Sequence, residues 1–249
     1  MPGKQQEVKL AFGVEPARTL YRLRLARYKA LAEAVADYVR EKDSQREQYD
    51  LLDIGIGSGR SMYFIENEDV ADRIKFHGLD NSKRRLDTVY KSEQWELTQA
   101  NIEEGTPFES EQFDIVICEQ ILEHLVNPTK VIDEIARILR PDGLLILGVP
   151  IFPPLISNLR ELVDSVSGRL RNSSRSHLQF FNSITIKSLV RTHNHFTIKK
   201  SYGFRIVSGG ILSQLEDYLW WYKFNRWLGR VVPWLCTEIQ ILARKNTTL

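Results

Sequence analysis

A glycine-rich loop is the part of the sequence whose residue types and spacing most clearly suggest chemistry. Gly55, Gly57 and Gly59 are separated by single residues and follow an apolar run that ends at Ile54. Glycines at this spacing let the backbone turn sharply and approach a ligand closely. The helix predicted after the loop would present unpaired N–H groups at its start. Together, the loop and the helix start predict a ligand site.

The charges around the loop indicate which ligand it binds. Dinucleotide enzymes use the spacing G-x-G-x-x-G and place a pyrophosphate at the helix start. Here Arg60 occupies the position of the third glycine of that pattern, and Asp53, two residues before Gly55, would repel a pyrophosphate. A carboxylate at this place suits a cationic ligand, and S-adenosylmethionine carries an ammonium and a sulfonium group. We therefore expect S-adenosylmethionine, with a nicotinamide dinucleotide as the alternative.

A second carboxylate falls where a nucleoside needs a partner. Asp80 ends a predicted strand and lies 21 residues beyond Gly59. A carboxylate at the end of the second strand of such a unit can accept hydrogen bonds from both ribose hydroxyls. Asp80 and the loop together favour a nucleoside cofactor over an ordinary tight turn.

Short apolar runs alternate with helical patterns and must position these residues. Strands are predicted over 49–54, 75–79, 96–100, 113–118, 144–149, 196–202 and 237–243, and helices over 16–48, 59–67, 82–92, 127–139 and 182–191, with a turn at 140–143. Strands that alternate with helices favour a parallel sheet with helices on both faces.

The chain from about 49 to 150 resembles the core of the class I S-adenosylmethionine-dependent methyltransferases, in particular their small-molecule, type 11-like branch. Four ordered motifs carry this resemblance, at 53–59, 79–80, 111–116 and 139–144. It implies an α/β, Rossmann-like fold with a seven-stranded, mostly parallel sheet whose last strand is antiparallel. It also implies that S-adenosylmethionine is the cofactor and that the loop and Asp80 hold it. The residues concerned are Asp53, Gly55, Gly57, Gly59 and Asp80.

Two positions depart from the family pattern around the adenine. Asn101 stands where the family often has an aspartate that meets the adenine amino group, and an asparagine can still accept through its carbonyl oxygen. Asn81 stands where an apolar residue usually packs on the adenine, and Ile102 can pack on the ring from the other side. We expect Asn81, Asn101 and Ile102 to frame the adenine.

Three residues are candidates for direct contact with the reaction. Methyl transfer from a sulfonium mainly needs the nucleophile, methyl and sulfur in line, and a base only if the acceptor must lose a proton. Glu119 follows the fourth strand and would bind the acceptor or the cofactor, unless it is a solvated or helix-capping carboxylate. His124 is a candidate base, or else a structural residue of its loop. His177 opens a His-x-x-Phe segment similar to one in the family, which would lie over the acceptor pocket.

The chain divides into two parts with two insertions. Residues 1–48 are predicted as an N-terminal helical cap, and 49–249 as the methyltransferase domain. An insertion over about 152–180 contains several arginines and has the composition of a lid or of an exposed loop. A second insertion over about 208–235 is predicted as an aromatic helical segment.

The last third of the chain differs in charge from the rest. Residues 152–249 contain 14 Lys and Arg against 5 Asp and Glu. Four of the five tryptophans lie within 211–235, beside Lys223, Arg226 and Arg230. This composition is typical of a helix at an anionic membrane surface. A helical cover on the sheet or a homodimer contact is the alternative. The sequence does not favour nucleic acid, because no nucleic-acid motif accompanies the aromatic residues.

Composition limits the other possibilities. The two cysteines are far apart, there is no apolar signal segment, and no apolar run is long enough to span a membrane. We expect a cytoplasmic protein, with peripheral contact at the inner membrane face if the aromatic segment binds lipid. No metal site is predicted, because His193-x-His195 is too weak a pattern by itself.

The sequence thus predicts in-line methyl transfer to a small-molecule, lipid-linked or glycan acceptor. Two rivals remain. The first is a non-catalytic protein that keeps the fold, with or without the cofactor, and the second is an NAD-dependent oxidoreductase.

Overall fold

The computed structural model describes residues 9–10, 13–14, 23–42, 46–89, 94–151, 178–206, 215 and 218–247 of the 249-residue chain. Two short strands near the N-terminus, β1 (Lys9–Leu10) and β2 (Gly13–Val14), pair antiparallel. The main sheet contains β3 (Tyr49–Ile54), β4 (Ile74–Asp80), β5 (Glu96–Gln99), β6 (Phe113–Glu119), β7 (Leu139–Pro150), β8 (Phe196–Phe204) and β9 (Glu238–Lys245). The helices are α1 (Ala26–Glu41), α2 (Arg60–Ile65), α3 (Lys83–Leu86), α4 (Pro128–Ile138), α5 (Ser183–Arg191) and α6 (Leu219–Val231).

The order of strands in the main sheet confirms the predicted fold. The order is β5-β4-β3-β6-β7-β9-β8, and only β9 runs antiparallel to its neighbours. Because β3, β4, β6 and β8 run in the same direction, their carboxyl ends meet at one edge of the sheet, which we call the carboxyl edge. Ligands of open α/β sheets bind at this edge.

Helices cover both faces of the sheet. On one face, the apolar sides of α4 and α5 pack on the central strands through residues such as Ile132, Ile135 and Ile186. On the other face, α1 and α2 pack on the same strands through residues such as Leu31 and Met62. Each helix buries the stripe that its apolar spacing predicts, so burial on two sides fixes the sheet.

Several predicted boundaries were wrong. Helix α1 begins only at Ala26, and the described residues 46–48 are not helical. Helix α3 has four residues, because 87–89 form a turn. Strand β7 begins at Leu139 instead of 144, because Leu139 already pairs with Phe113 and the predicted turn becomes an irregularity inside the strand. Asp142 takes a left-handed conformation there, with φ of 57°.

The two predicted insertions are only partly described. Residues 152–177, which include His177 and almost all of the predicted lid, lie outside the described residues. The aromatic segment does contain a helix, α6, as predicted. Within the described ranges, no helix is long and apolar enough to cross a membrane.

Candidate cofactor and active site

The three loop glycines adopt left-handed conformations for different reasons. Their φ angles are 70°, 58° and 80° at Gly55, Gly57 and Gly59. A Cβ at Gly55 would lie 2.1 Å from the Ile121 side chain, and one at Gly59 would lie 2.6 Å from the Trp95 ring. A Cβ at Gly57 would meet only the Gly55 carbonyl oxygen, at 3.8 Å. Packing therefore requires two of the glycines, while Gly57 borders open space that a ligand can enter.

Asp80 is fixed beside this loop. Its side chain is buried, and its carboxylate accepts hydrogen bonds from the backbone N–H of Gly57 at 3.4 Å and of Ser82 at 2.9 Å. Arg85 Nη1 lies 3.6 Å from Asp80 Oδ1. A carboxylate can accept about four hydrogen bonds, so Asp80 retains capacity for ribose hydroxyls.

A cleft of about 250 Å³ opens between the loop and the end of β5. The described residues that line it include every residue predicted to frame the nucleoside: Asp80, Asn81, Asn101 and Ile102. The fold thus brings together residues that lie apart in the sequence. A larger cavity of about 650 Å³ lies between α1, β8 and β9, away from the glycine loop. We assign the cofactor to the smaller cleft, because only that cleft is bordered by the loop and Asp80.

The Asn101 side chain differs from the expectation in one respect. Its Oδ1 accepts a hydrogen bond from the backbone N–H of Glu103 at 3.2 Å, and its Nδ2 donates to Glu104 Oε1 at 2.8 Å. Asn101 therefore shapes the turn after β5 as well as lining the cleft. Ile102 is buried and supplies an apolar wall.

Asp53 lies at the end of β3, directly before the loop. Its carboxyl group is almost fully buried, and burial raises its pKa to about 8 against the lowering effect of a hydrogen bond from Ser61. The nearby carboxylates Glu119 and Asp80 raise the pKa further. Since a cation next to Asp53 would favour its ionised form, this carboxyl group fits a cationic ligand such as S-adenosylmethionine.

Glu119 lies at the end of β6, next to β7 and β9. Its Oε1 accepts a hydrogen bond from Gln240 Nε2 at 2.7 Å, and its carboxylate packs so closely on Gly148 that any Cβ there would clash. Burial raises the pKa of Glu119 to about 7, although Arg27 and the Gln240 hydrogen bond lower it. The side chain is 6% exposed, so Glu119 is neither solvated nor at a helix end.

Arg27 is a residue that the sequence analysis missed. It enters from the first turn of α1, where its Nη1 donates to Glu238 Oε2 at 2.8 Å and its Nε lies 3.7 Å from Glu119 Oε2. Glu238 also accepts a hydrogen bond from Arg205, so two arginines share it. We call Arg27, Glu119, Glu238 and Gln240 the buried polar cluster. The only sequence signal was an arginine on the apolar stripe of the predicted N-terminal helix.

His124 borders the cleft from the loop after β6. Its side chain is 41% exposed, and its Nε2 lies 3.8 Å from Glu123 Oε1. The carbonyl oxygen of Glu123 accepts hydrogen bonds from the backbone N–H groups of Leu178 and Gln179, at 2.7 and 3.0 Å. The last residues of the predicted lid are therefore fixed beside His124. The position of His177 itself lies outside the described residues.

Gln120 is a second residue that the sequence analysis missed. Its backbone is left-handed, with φ of 57°, and its N–H donates to the carbonyl oxygen of Gly148. Its side-chain Nε2 is buried and makes no hydrogen bond to a described residue. A buried donor without a partner is costly, so this amide can donate a hydrogen bond to a ligand group that enters the site. No local sequence pattern distinguished Gln120 from its neighbours.

Comparison with known proteins supports the same class. A family model described as a methyltransferase domain matches residues 52–147. Over 119 residues, the chain is 31% identical to a ubiquinone biosynthesis O-methyltransferase of Actinobacillus pleuropneumoniae, a match that covers 44% of this chain and 49% of that protein. The chain therefore spans about half the length of the curated relatives it matches.

Solved structures agree on the fold. A putative sarcosine dimethylglycine methyltransferase from Galdieria sulphuraria superposes with a TM-score of 0.60 at 15% identity, covering 92% of each chain. The (4+2)-cyclase SpnF superposes with a TM-score of 0.53 at 18% identity, covering 87% of this chain and 82% of that one. These similarities show the fold alone, because SpnF has the same fold although it is named for a cyclisation reaction.

The matched domain and the fold together support a class I S-adenosylmethionine-dependent methyltransferase, which confirms the resemblance drawn from the motifs. Family and fold also imply S-adenosylmethionine as the cofactor. The residues present fit it, since Asp80 lines the cleft together with Gly55, while Asp53 lies directly before the same loop and Gly57 lies within it.

Proposed function

We propose that this protein transfers a methyl group from S-adenosylmethionine to a small acceptor bound at the carboxyl edge. The observation that carries the proposal is the cleft in which Gly55, Asp80, Asn101 and Ile102 meet. When bound, the cofactor supplies an electrophilic methyl group on a sulfonium. The protein's own residues hold the ribose, surround the adenine and present an acidic group to the cationic end.

We assign these roles residue by residue. Asp80 accepts hydrogen bonds from the ribose hydroxyls, while Asn81, Asn101 and Ile102 surround the adenine. Asp53 faces the ammonium group, either directly or through water. Supporting this assignment, the three residues for the adenine and Asp80 line one cleft, and Asp80 is close enough to Asp53 to raise the pKa of Asp53.

His124 is our candidate for the group that accepts a proton from the acceptor. It borders the cleft and is partly exposed, whereas Glu119 is engaged by Gln240 and lies near Arg27. We assign Glu119 to the end of the site that holds the methyl group, where it contacts cofactor or acceptor. His177 and the lid over 152–180 stay predictions from the sequence.

The acceptor that we propose is a small lipophilic or lipid-linked molecule. The relatives named ubiquinone biosynthesis O-methyltransferase support this class, although each match covers less than half of this chain. The aromatic surface described below supports it as well. A glycan acceptor is the alternative that the basic C-terminal third favours.

The direct test is transfer of a labelled methyl group into fractionated cell extract. We expect label in an organic-solvent fraction, and we expect Asp80→Ala to abolish it. Label in the glycan fraction alone would contradict the proposal of a lipophilic acceptor but would support methyltransferase activity. Retained binding of S-adenosylhomocysteine with no labelled product in any fraction would instead favour a non-catalytic protein.

We further propose that α6 places this enzyme at an anionic membrane surface. One side of the helix is buried, and Gly229 lies so close to Gly203 of β8 that a Cβ would clash with its carbonyl oxygen. The other side, with the residues that flank the helix, leaves large apolar side chains between 40% and 57% exposed, a set we call the aromatic surface: Tyr218, Leu219, Trp220, Phe224, Trp227, Val231, Trp234 and Leu235.

Charge and position support this partner. Residues 218–235 contain Lys223, Arg226 and Arg230 but no acidic residue. Arg226 pairs with Glu33 of α1, which leaves Lys223 and Arg230 to complement anionic lipid headgroups. The contact between Gly229 and Gly203 lies near the end of β8. The aromatic surface is thus next to the carboxyl edge, where a lipophilic acceptor would enter from the bilayer.

Vesicle flotation tests the membrane proposal. We expect the protein to float with vesicles that contain phosphatidylglycerol, and Trp220→Ala/Trp227→Ala to stay at the bottom. Val126→Ala/Ile184→Ala is the matched control, since both residues are 74% exposed elsewhere on the surface. If the protein does not float, or if sedimentation shows a homodimer that the tryptophan variant abolishes, the membrane proposal is wrong.

A further inference from the structure

Three potential metal ligands meet at the edge of the sheet opposite the carboxyl edge. Asp133 lies on α4, whereas His193 and His195 lie in the turn between α5 and β8. His193 Nδ1 is 2.7 Å from Asp133 Oδ1, and His195 Nε2 is 3.2 Å from the same oxygen. One ligand atom from each residue lies within 4.8 Å of the other two.

These separations are close to those of a tetrahedral metal site. Zinc binds imidazole nitrogen and carboxylate oxygen at about 2.0–2.2 Å. Two ligand atoms on a tetrahedral ion at such distances are about 3.3 Å apart. The two contacts of Asp133 are already near this length, so small side-chain rotations would place all three atoms around one ion.

The backbone holds the two histidines in this arrangement. His193 and the following Asn194 both have left-handed φ angles, of 56° and 54°. Asn246, after β9, fixes the turn because its N–H donates to the carbonyl oxygen of His195 at 2.8 Å and its Nδ2 donates to that of Asn194 at 2.6 Å. Two ligands are therefore held in place before any ion binds, which lowers the ordering cost of binding.

We propose that Asp133, His193 and His195 form a site for a divalent transition metal of the zinc class. Two imidazoles and one carboxylate suit zinc and its neighbours rather than magnesium or calcium. Water would complete the coordination, because the three side chains are between 37% and 57% exposed. A bound ion would link α4 to the start of β8 and so stabilise the fold.

This proposal replaces the sequence expectation of no metal site. His193-x-His195 alone was too weak a pattern, and the third ligand comes from a residue 60 positions away that only the fold brings near. The site lies at the amino end of β8, while the cofactor cleft lies at the carboxyl ends of β3 and β4. Its test is therefore independent of the methyltransferase proposal.

Calorimetry and thermal unfolding with untagged protein test the site. We expect one Zn²⁺ per chain and a rise in Tm of about 5 °C at saturating metal. With Co²⁺ as a probe, we expect visible absorption bands typical of tetrahedral coordination. His193→Ala, His195→Ala and Asp133→Asn should each weaken Zn²⁺ binding about tenfold or more.

Two variants serve as controls. His124→Ala removes a partly exposed histidine elsewhere, and Asp87→Asn removes an exposed carboxylate whose side chain is 64% exposed. Both should bind Zn²⁺ like the parent protein. No binding by the parent, or the same weakening in the controls as in the cluster variants, would show that the three residues form only hydrogen bonds with one another.

Discussion

The two halves of the carboxyl edge are built in different ways. The cofactor half, from β3 to β5, uses closely spaced residues: three glycines within five positions and one carboxylate at the end of the next strand. The half at β6, β7 and β9 uses the buried polar cluster, whose members come from α1, β6 and β9 and are up to 213 positions apart. The residues that we assign to the methyl donor are therefore recognisable from local sequence, whereas the buried polar cluster depends on long-range packing.

The charges of the two halves differ in the same way. In the cofactor half, burial raises the pKa of Asp53 to about 8, and no cation among the described residues pairs with it. In the other half, Glu119 and Glu238 share Arg27 across the strands, although Arg27 Nε and Glu119 Oε2 make no hydrogen bond to a described residue. Asp53 can therefore ionise beside a cationic ligand, whereas Glu119 and Glu238 already lie beside a cation of the protein.

Arg27→Met should give the largest effect on stability. It leaves Glu119 and Glu238 buried without this cation, and breaking a buried pair costs about 3–5 kcal/mol. Urea unfolding measures the loss. The matched control on the same helix is Arg40→Met, which breaks a solvent-exposed pair with Asp69 and should leave the urea midpoint almost unchanged. Equal losses in both variants would mean that the buried polar cluster does not stabilise the acceptor half.

Gly57→Ala should affect the cofactor half instead. A Cβ there makes no close contact with a described residue, but the left-handed backbone strains an alanine at this position, so we expect some loss of stability. The Cβ also enters the space assigned to the ligand. We expect binding of S-adenosylhomocysteine to weaken about 100-fold, or about 2.7 kcal/mol, by calorimetry. Gly105→Ala is the control, with φ of 102° and no atom within 4 Å of the added Cβ. Unchanged affinity in Gly57→Ala would place the ligand elsewhere.

Cofactor affinity should also depend on pH through Asp53. Its carboxyl group is protonated below about pH 8 in the free protein, and a cationic ligand would favour the ionised form. Binding then releases a proton, so affinity should rise between pH 6 and 8, by up to about tenfold per unit, and level off above pH 8. The same raised pKa means that Asp53 makes the free fold less stable as pH rises from 4 to 8, and the ligand should oppose this loss.

Calorimetry of S-adenosylhomocysteine at several pH values measures this dependence. Asp53→Asn should bind more weakly at pH 8 and show a flat profile, because an amide does not titrate. A flat profile in the parent protein would contradict the charge that we assign to Asp53.

Glu119→Gln should have the smallest effect on the cofactor half. The new amide oxygen can still accept the hydrogen bond from Gln240, and the substitution removes a buried carboxylate. We therefore expect the free energy of unfolding to change by about 1 kcal/mol or less. Affinity for S-adenosylhomocysteine should change less than about threefold, whereas kcat should fall if Glu119 contacts the reacting groups. A large loss of cofactor affinity with unchanged kcat would instead indicate that Glu119 binds the cofactor and does not contact the reacting groups.

The sequence predicted the fold well, for a physical reason. The alternation of apolar runs with helical patterns predicts a parallel sheet, and the loop and Asp80 are recognisable because the chemistry assigned to them depends on short spacing. Even here, sequence could not show that Gly59 is required by the ring of Trp95 rather than by a ligand. Packing partners of a glycine lie elsewhere in the chain.

The other half could not be predicted in the same way. Arg27 belongs to an apparently ordinary helix, and its contact with Glu238 spans 211 positions. Gln120 resembles its neighbours until the left-handed backbone and the buried amide are seen. The predicted extent of the helix over 82–92 failed for a simpler reason, since periodic residues do not specify where a turn such as 87–89 begins.

The central claim is that the cofactor half binds the S-adenosyl group, and calorimetry of the parent protein against S-adenosylhomocysteine and NAD tests it most directly. We expect one S-adenosylhomocysteine per chain, no heat from NAD, and loss of binding in Asp80→Ala. Binding of NAD without binding of S-adenosylhomocysteine would contradict the account.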